Sequence, residues 1–326
     1  MSGDLGPRVV IAAALQIIAR CEQVELTLVG DQQQIRQLLS FSSASPVPRL
    51  FIHHAPDIVS MNEDPTTALR HKKQSSMWLA LQMVRDNLAD ACVSAGNTGA
   101  LMAISKYLLK TFPGIERPAI CKSLPVVSGR TFMLDMGANL VCTAEQLAEF
   151  ALMGSVLARA TLAGDPQVSL LNVGQEEEKG TASIRAAQDL LRADERIRYA
   201  GFIEADQMFS GKTQVIVCDG FAGNIALKAS EGASRFIGKK LEQSFRSGFW
   251  RKILAFGLRP FFYNLKAEFD PARFNGAIFL GLQKTVVKSH GGADQFAFQQ
   301  ALLVAIEQVE QKVSEKIGAQ LTAQSI

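Results

Sequence analysis

Histidine and cysteine are scarce in this chain, with four of one and five of the other among 326 residues. None of His53, His54, His71 and His290 stands in H-E-x-x-H or another metal spacing, so no metal site is expected. Cys21, Cys92, Cys121, Cys142 and Cys218 form no C-x-x-C pair, and their number is odd. Scattered through apolar runs, they read as reduced, buried thiols of a reducing compartment, which points to the cytoplasm. No apolar run reaches the roughly eighteen residues of a membrane-spanning helix. Residues 9–19 lack the cleavage pattern of a signal peptide, and Asp4 precedes Arg8, so they read as a core helix with Pro7 in its first turn. Charge of neither sign is in excess. A net +3 does not predict strong nucleic-acid binding. The absence of G-x-x-x-x-G-K-[ST] excludes a P-loop, and the absence of G-x-G-x-x-G after a strand excludes the ordinary dinucleotide fingerprint.

What is present is a hydrophobic fraction of 48%, enough for a large core. Strand patterns over 26–29, 50–52, 91–94, 131–134, 168–171, 201–203, 215–217 and 286–287 alternate with helical ones. The helices are expected over 31–41, 75–88, 97–109, 144–162, 181–191, from 224 onward, and over 294–317. That order predicts an α/β fold, with a mostly parallel sheet and helices on both faces, as one domain over 1–326. The stretch 236–275 is aromatic, basic and poor in strand signal, and is expected to form a helical protrusion.

One event recurs at the strand ends: a small or acidic residue, then glycine, then a helix. The instances are Ser94-Ala-Gly-Asn-Thr-Gly99, Asp135-Met-Gly-Ala-Asn139, Asn172-Val-Gly174 on to Gly180, Cys218-Asp-Gly-Phe-Ala-Gly-Asn224 and Ser289-His-Gly-Gly292, and the turn at Gly3-Asp4 is similar. Glycine lets the backbone approach an anion, and the helix behind it offers open N–H groups. Asparagine accompanies the glycine at 97, 139, 172 and 224. This fits either hydrogen bonding to a polar ligand or helix capping.

These motifs, in this order, resemble the PlsX family of phosphate acyltransferases. So do Lys72-Lys73 before Ser75-Ser-Met77, Glu177-Glu-Lys-Gly180, and Asn275-Gly-Ala277 before Lys288-Ser-His-Gly291. The resemblance runs over essentially the whole chain. It implies a fold like those of isocitrate and isopropylmalate dehydrogenases and of phosphate acetyltransferases. It also implies a homodimer without a cofactor. The implied reaction turns acyl-(acyl-carrier protein) and inorganic phosphate into acyl phosphate and free carrier protein, for bacterial phospholipid synthesis. The product would pass to a membrane glycerol-3-phosphate acyltransferase. Family members usually carry an apolar strand ahead of the Met-x-Gly-Asp motif, which here is Met1-Ser-Gly-Asp4, so either the true start is expected upstream or the sheet is expected to lack that member. Val141, Gln175, Ala222 and Lys284 depart from the family's usual Asp, Glu, Thr and Gly.

Phosphate is already a nucleophile at neutral pH, so such an enzyme needs position and preorganised donors more than a nucleophilic side chain. The expected catalytic set is Asn97, Asn139, Lys179 and His290. His290 either protonates the leaving thiolate or is structural. Phosphate contacts are expected from Gly96, Thr98, Gly99, Gly137 and Ala138, with Lys73 and Lys179 as cations. Gly3, Asp4, Asn172, Gly174, Gly180, Asp219, Gly220, Gly223 and Asn224 complete the substrate-binding set, with Asp4 and Asp219 either orienting these groups or capping helices. Arg235, Lys239, Lys240 and Arg246 are candidates for docking an acidic carrier protein. The segment 245–269 mixes aromatic with basic residues and is expected to touch the membrane surface or a dimer interface. The alternatives are a phosphate acetyl- or butyryltransferase acting on acyl-CoA, a metal- and NAD-dependent dehydrogenase, and a phosphate- or nucleotide-binding regulator.

Overall fold

The computed structural model describes residues 3–42, 47–127, 129–246 and 270–322. Strands β1 (Leu26–Gly30) and β2 (Leu50–His54) pair in parallel with each other alone. Eight more strands form the main sheet: β3 (Ala91–Ser94), β4 (Ala119–Pro125), β5 (Arg130–Leu134), β6 (Gln167–Leu171), β7 (Arg198–Ile203), β8 (Val215–Val217), β9 (Ala277–Leu280) and β10 (Thr285–Lys288). Their order is β3-β10-β9-β4-β5-β8-β6-β7.

The pairs β3–β10, β5–β8, β8–β6 and β6–β7 are parallel, as a βαβ reading requires. The three pairings around β9 and β4 are antiparallel. These two strands escape the periodicity reading. β4 carries Lys122 and Ser123 in mid-strand and closes on Pro125, while β9 has only four residues. Their insertion has a consequence for function: β3 and β10 run opposite to β5, β8, β6 and β7.

The helices are α1 (Pro7–Arg20), α2 (Gln32–Ser42), α3 (Pro65–His71), α4 (Ser76–Arg85), α5 (Thr98–Leu109), α6 (Ala144–Thr161), α7 (Ala182–Ala193), α8 (Gly220–Arg246), α9 (Gln295–Glu310) and α10 (Val313–Thr322). Most start where a side chain caps them, while α1 starts at Pro7 without one. Asn97 accepts from the Ala100 N–H at the start of α5, and Thr143 with Gln146 forms a reciprocal capping box on α6. The helix expected over 294–317 breaks into α9 and α10, because Lys312 takes a left-handed φ of 51°. Two cores sandwich the sheet. One lies under α6, α7, α9 and α10 and contains Leu147, Phe150, Leu157 and Leu191. The other lies under α3, α4, α5 and α8 and contains Met77, Leu81, Leu101 and Ile104. Burying these apolar faces, at about 25 cal/mol per Å², holds the layers together.

No helix among the described residues is long and apolar enough to cross a membrane. Within the expected protrusion over 236–275, α8 ends at Arg246 and the chain is next described at Asp270; residues 247–269 of the expected interfacial segment lie outside the described residues.

Candidate functional site

The glycine turns fall into two groups. Among the described residues, no hydrogen bond or ion pair joins one group to the other.

The first group lies at the carboxyl ends of β3 and β10. Ser289 donates its N–H to the Ser94 carbonyl at 2.9 Å, and Asp4 donates its own to the Gly291 carbonyl at 2.9 Å. Gly3 fits between the two turns, since a Cβ there would lie 3.3 Å from Ala95 Cβ and 3.4 Å from the Gly291 oxygen. The Asn97 side chain is a clip. Its Oδ1 caps α5 at 2.9 Å, and its Nδ2 donates to the carbonyls of Met61 (2.8 Å) and Glu63 (2.9 Å). Both amide hydrogens are therefore spent inside the fold, which leaves the side chain no donor for phosphate.

The N–H of Gly96 points to Ser94 Oγ at 3.1 Å. The N–H groups of Thr98 and Gly99 have no partner among the described residues, and both residues are exposed. Gly99 is close to α3, where a Cβ would meet Pro65 Cγ at 2.8 Å. On the neighbouring turn, His290 is exposed, and its Nδ1 accepts from the Gly292 N–H at 3.0 Å. An Nδ1 that accepts is unprotonated, so the neutral ring carries its proton on Nε2. Asn275 fixes this turn. It accepts from the His290 N–H and donates to Ser289 Oγ and the Ala297 carbonyl.

The second group lies at the carboxyl ends of β5, β8 and β6, and at its centre is a residue the motif reading passed over. Asp135 is fully buried. Its Oδ1 accepts from the N–H groups of Ile120 (2.9 Å), Gly137 (3.2 Å) and Ala138 (3.1 Å), and its Oδ2 accepts from Asn139 N (2.6 Å) and Nδ2 (3.0 Å). The turn expected to cradle phosphate thus already cradles an anion, its own carboxylate. Burial pushes the Asp135 pKa up, while the donors around it act against that shift. Asn139 gives its other amide hydrogen to the Pro118 carbonyl at 2.9 Å, so it too has no free donor.

Gly223 is dictated by this packing, because a Cβ there would come within 2.0 Å of the Asp135 carbonyl oxygen. The N–H of Gly220 binds the Asn139 carbonyl at 2.7 Å, and Asp219 caps α8 by accepting from Ala222 N at 2.8 Å. Asn224 lies over Gly137, and its amide makes no hydrogen bond among the described residues. On the adjoining β6 turn, Asn172 donates to the Lys179 carbonyl at 3.2 Å, and its buried Oδ1 has no partner among the described residues. Gly180 has φ 90° and Gly174 is buried in the same loop, whereas the Lys179 side chain is exposed.

Lys73 belongs to neither group. It is exposed, with Nζ 5.9 Å from the centroid of Trp78. Cys92, Cys142 and Cys218 are buried, and burial pushes the Cys92 and Cys142 thiols up to about 12, out of nucleophilic range. No group of His, Cys, Asp and Glu among the described residues is placed to hold a metal ion. A cavity of about 460 Å³ lined by Leu191, Arg192, Ile197 and Tyr199 lies by α7 and the start of β7, where Arg192 pairs with Glu177 of the β6 turn.

The family described as fatty acid synthesis protein matches residues 1–316. A phosphate acyltransferase of Cellvibrio japonicus is 52% identical over 322 residues, which are 99% of this chain and 96% of that protein. A phosphate acyltransferase of Teredinibacter turnerae is 46% identical, over 98% of this chain and 96% of that one. Among solved structures, a phosphotransacetylase of Streptococcus pyogenes superposes with a TM-score of 0.64 at 18% identity, covering 93% of this chain and 91% of that one. A branched-chain phosphotransacylase of Enterococcus faecalis gives 0.57 at 12% identity, covering 94% and 97%. At such identities these two likenesses establish the fold alone.

Proposed function

The chain belongs to the fatty acid synthesis protein family and is a phosphate acyltransferase of phospholipid synthesis, and from that premise we propose that it transfers a fatty acyl group from acyl-carrier protein to inorganic phosphate at the turns that end β3 and β10. The observation that carries this placement is the pair of open N–H groups on Thr98 and Gly99, on a turn joined through Ser94 to the turn that carries the exposed His290. An anion at the start of α5 meets unpaired donors and the positive end of the helix dipole. The Asp135 turn offers no such vacancy.

In the reaction, a phosphate oxygen attacks the thioester carbonyl carbon. The C–O bond forms, the carbonyl becomes an oxyanion, and the C–S bond then breaks. Donors fixed in advance stabilise the oxyanion without reorganisation. The departing sulfur accepts a hydrogen bond from His290 Nε2–H, whose orientation the Gly292 N–H fixes through Nδ1, and the proton that makes the free thiol comes from the attacking hydrogen phosphate. Lys179 and Lys73, both exposed, fit a surface that meets the carrier protein better than a phosphate pocket. Arg235 and Lys239 on exposed turns of α8 extend that basic surface. Exposed Phe236 and Ile237 on the same helix fit a homodimer contact. The enzyme would work in the cytoplasm, and the aromatic and basic segment over 245–269 would hold it at the bilayer, where a hydrophobic acyl phosphate passes to a membrane acyltransferase.

Incubation of the purified protein with acyl-(acyl-carrier protein) and phosphate, followed by hydroxylamine, should yield acyl hydroxamate in proportion to phosphate. Product from acyl-CoA but not from the carrier protein would replace the donor in this reading.

A further inference from the structure

Asp135 and Lys288 are the two side chains of formal charge that are buried among the described residues. Asp135 has five hydrogen-bond donors around it. Lys288, 8% exposed at the end of β10, donates from Nζ only to the carbonyl of its neighbour Ser289. Among the described residues, no carboxylate lies within the 4.0 Å of an ion pair with it. An ammonium has three donors, and taking its charge out of water is costly unless an anion answers it.

The strand's alternation fixes where this ammonium points. Val287 joins the core under α6, and Val286 joins the core under α5, so Lys288 lies on the α5 side. Its partner across the ladder is Ser94, which begins the turn leading to Thr98 and Gly99. We infer that Lys288 contacts the phosphate acceptor directly, with its ammonium and the N–H groups of Thr98 and Gly99 closing on one anion. This deepens, and rests on, the placement of phosphate at the turns that end β3 and β10.

The surroundings support an unanswered charge. Burial pushes the Lys288 pKa down to about 8, and the field of Asp4 acts against that shift. The titratable residues on the neighbouring segments include Cys92 on β3, Glu63 ahead of α3, His290 on its own turn and Asp294 at the start of α9; β9 has none. A free ammonium of this pKa binds phosphate dianion below about pH 8 and loses it above, as the proton leaves.

Calorimetric titration of inorganic phosphate into wild type, Lys288→Met and Lys288→Arg, with no acyl donor, reads the contact. Lys288→Met should weaken binding by about ten- to a hundredfold, as expected for a lost charge-assisted hydrogen bond. The phosphate KM should rise by the same factor while the KM for acyl-carrier protein stays unchanged, and Lys288→Arg should recover part of the loss. In wild type, the dissociation constant for the dianion should be flat below about pH 8 and rise about tenfold per pH unit above it. If Lys288→Met does not fold, the arginine variant and the wild-type pH series decide. Wild-type phosphate affinity in Lys288→Met, a pH-independent dissociation constant, or no phosphate binding by wild type would overturn the inference. Failure of the transfer reading looks different: phosphate binds in a Lys288-dependent way, but no acyl phosphate forms.

Discussion

The turns after β3 and β5 look alike as sequence, Ser94-Ala-Gly-Asn-Thr-Gly99 and Asp135-Met-Gly-Ala-Asn139. In the structure they are opposites. In the second turn the first residue is a carboxylate that folds back on the N–H groups of Gly137, Ala138 and Asn139, so the nest is filled by the chain itself. In the first, the corresponding residue is serine. Its hydroxyl takes a single N–H, that of Gly96, and the following N–H groups stay open. A glycine turn at a strand end thus gathers backbone donors in both cases, and on the proposed reading each meets an anion. Whether the anion is internal or a ligand depends on one side chain, and an internal carboxylate forms structure where a ligand would allow chemistry.

This contrast is most severely tested by Asp135→Ala, which strands the buried donors that now surround the carboxylate. It should cost about 3–5 kcal/mol of stability in urea unfolding, the range for breaking one partner of a buried charged network. If stability held while phosphate affinity collapsed, the two turns would have to exchange roles.

His290→Ala comes next. It should lower kcat about a hundredfold by removing the hydrogen bond that stabilises the departing sulfur. Because the ring is exposed, stability should stay within about 0.5 kcal/mol. Unchanged turnover would leave His290 as a strut for Gly292.

Asn97→Ala loses a helix cap and two carbonyl clips, and should cost about 1–2 kcal/mol in folding. Any activity lost should return under stabilising conditions. A large fall in kcat at unchanged stability would restore the asparagine amide as an oxyanion donor. The smallest effect is expected of Lys179→Met: a phosphate KM within about twofold of wild type, and a weaker salt dependence of the KM for acyl-carrier protein. A rise in phosphate KM alone would return Lys179 to the phosphate.

Much of this architecture is legible in the residues. Ala91–Ser94 and Thr98–Leu109 are found where alternation and an Asn cap place them. The same holds for the first helix behind Pro7. The strands β4 and β9 are not legible, because Lys122 in mid-strand is answered by Glu231 of α8, far off in sequence. With them was lost the reversal of direction that separates the two groups of turns.

In the site, glycine and asparagine mark the turns, but not whether the chain itself fills them. That depends on Ile120 N reaching Asp135 and on Met61 and Glu63 reaching Asn97, contacts between distant segments. Lys288 left one trace, a lone lysine closing the apolar strand Val286-Val287 just before Ser-His-Gly-Gly.

Hydrogen exchange resolved to individual backbone amides, measured with and without saturating inorganic phosphate, compares the two turns in one experiment. The N–H groups of Thr98 and Gly99 should gain protection with phosphate, while those of Gly137, Ala138 and Asn139, already bound to Asp135, should exchange slowly and equally in both samples. Phosphate-dependent protection at 137–139 with none at 98–99 would contradict this account.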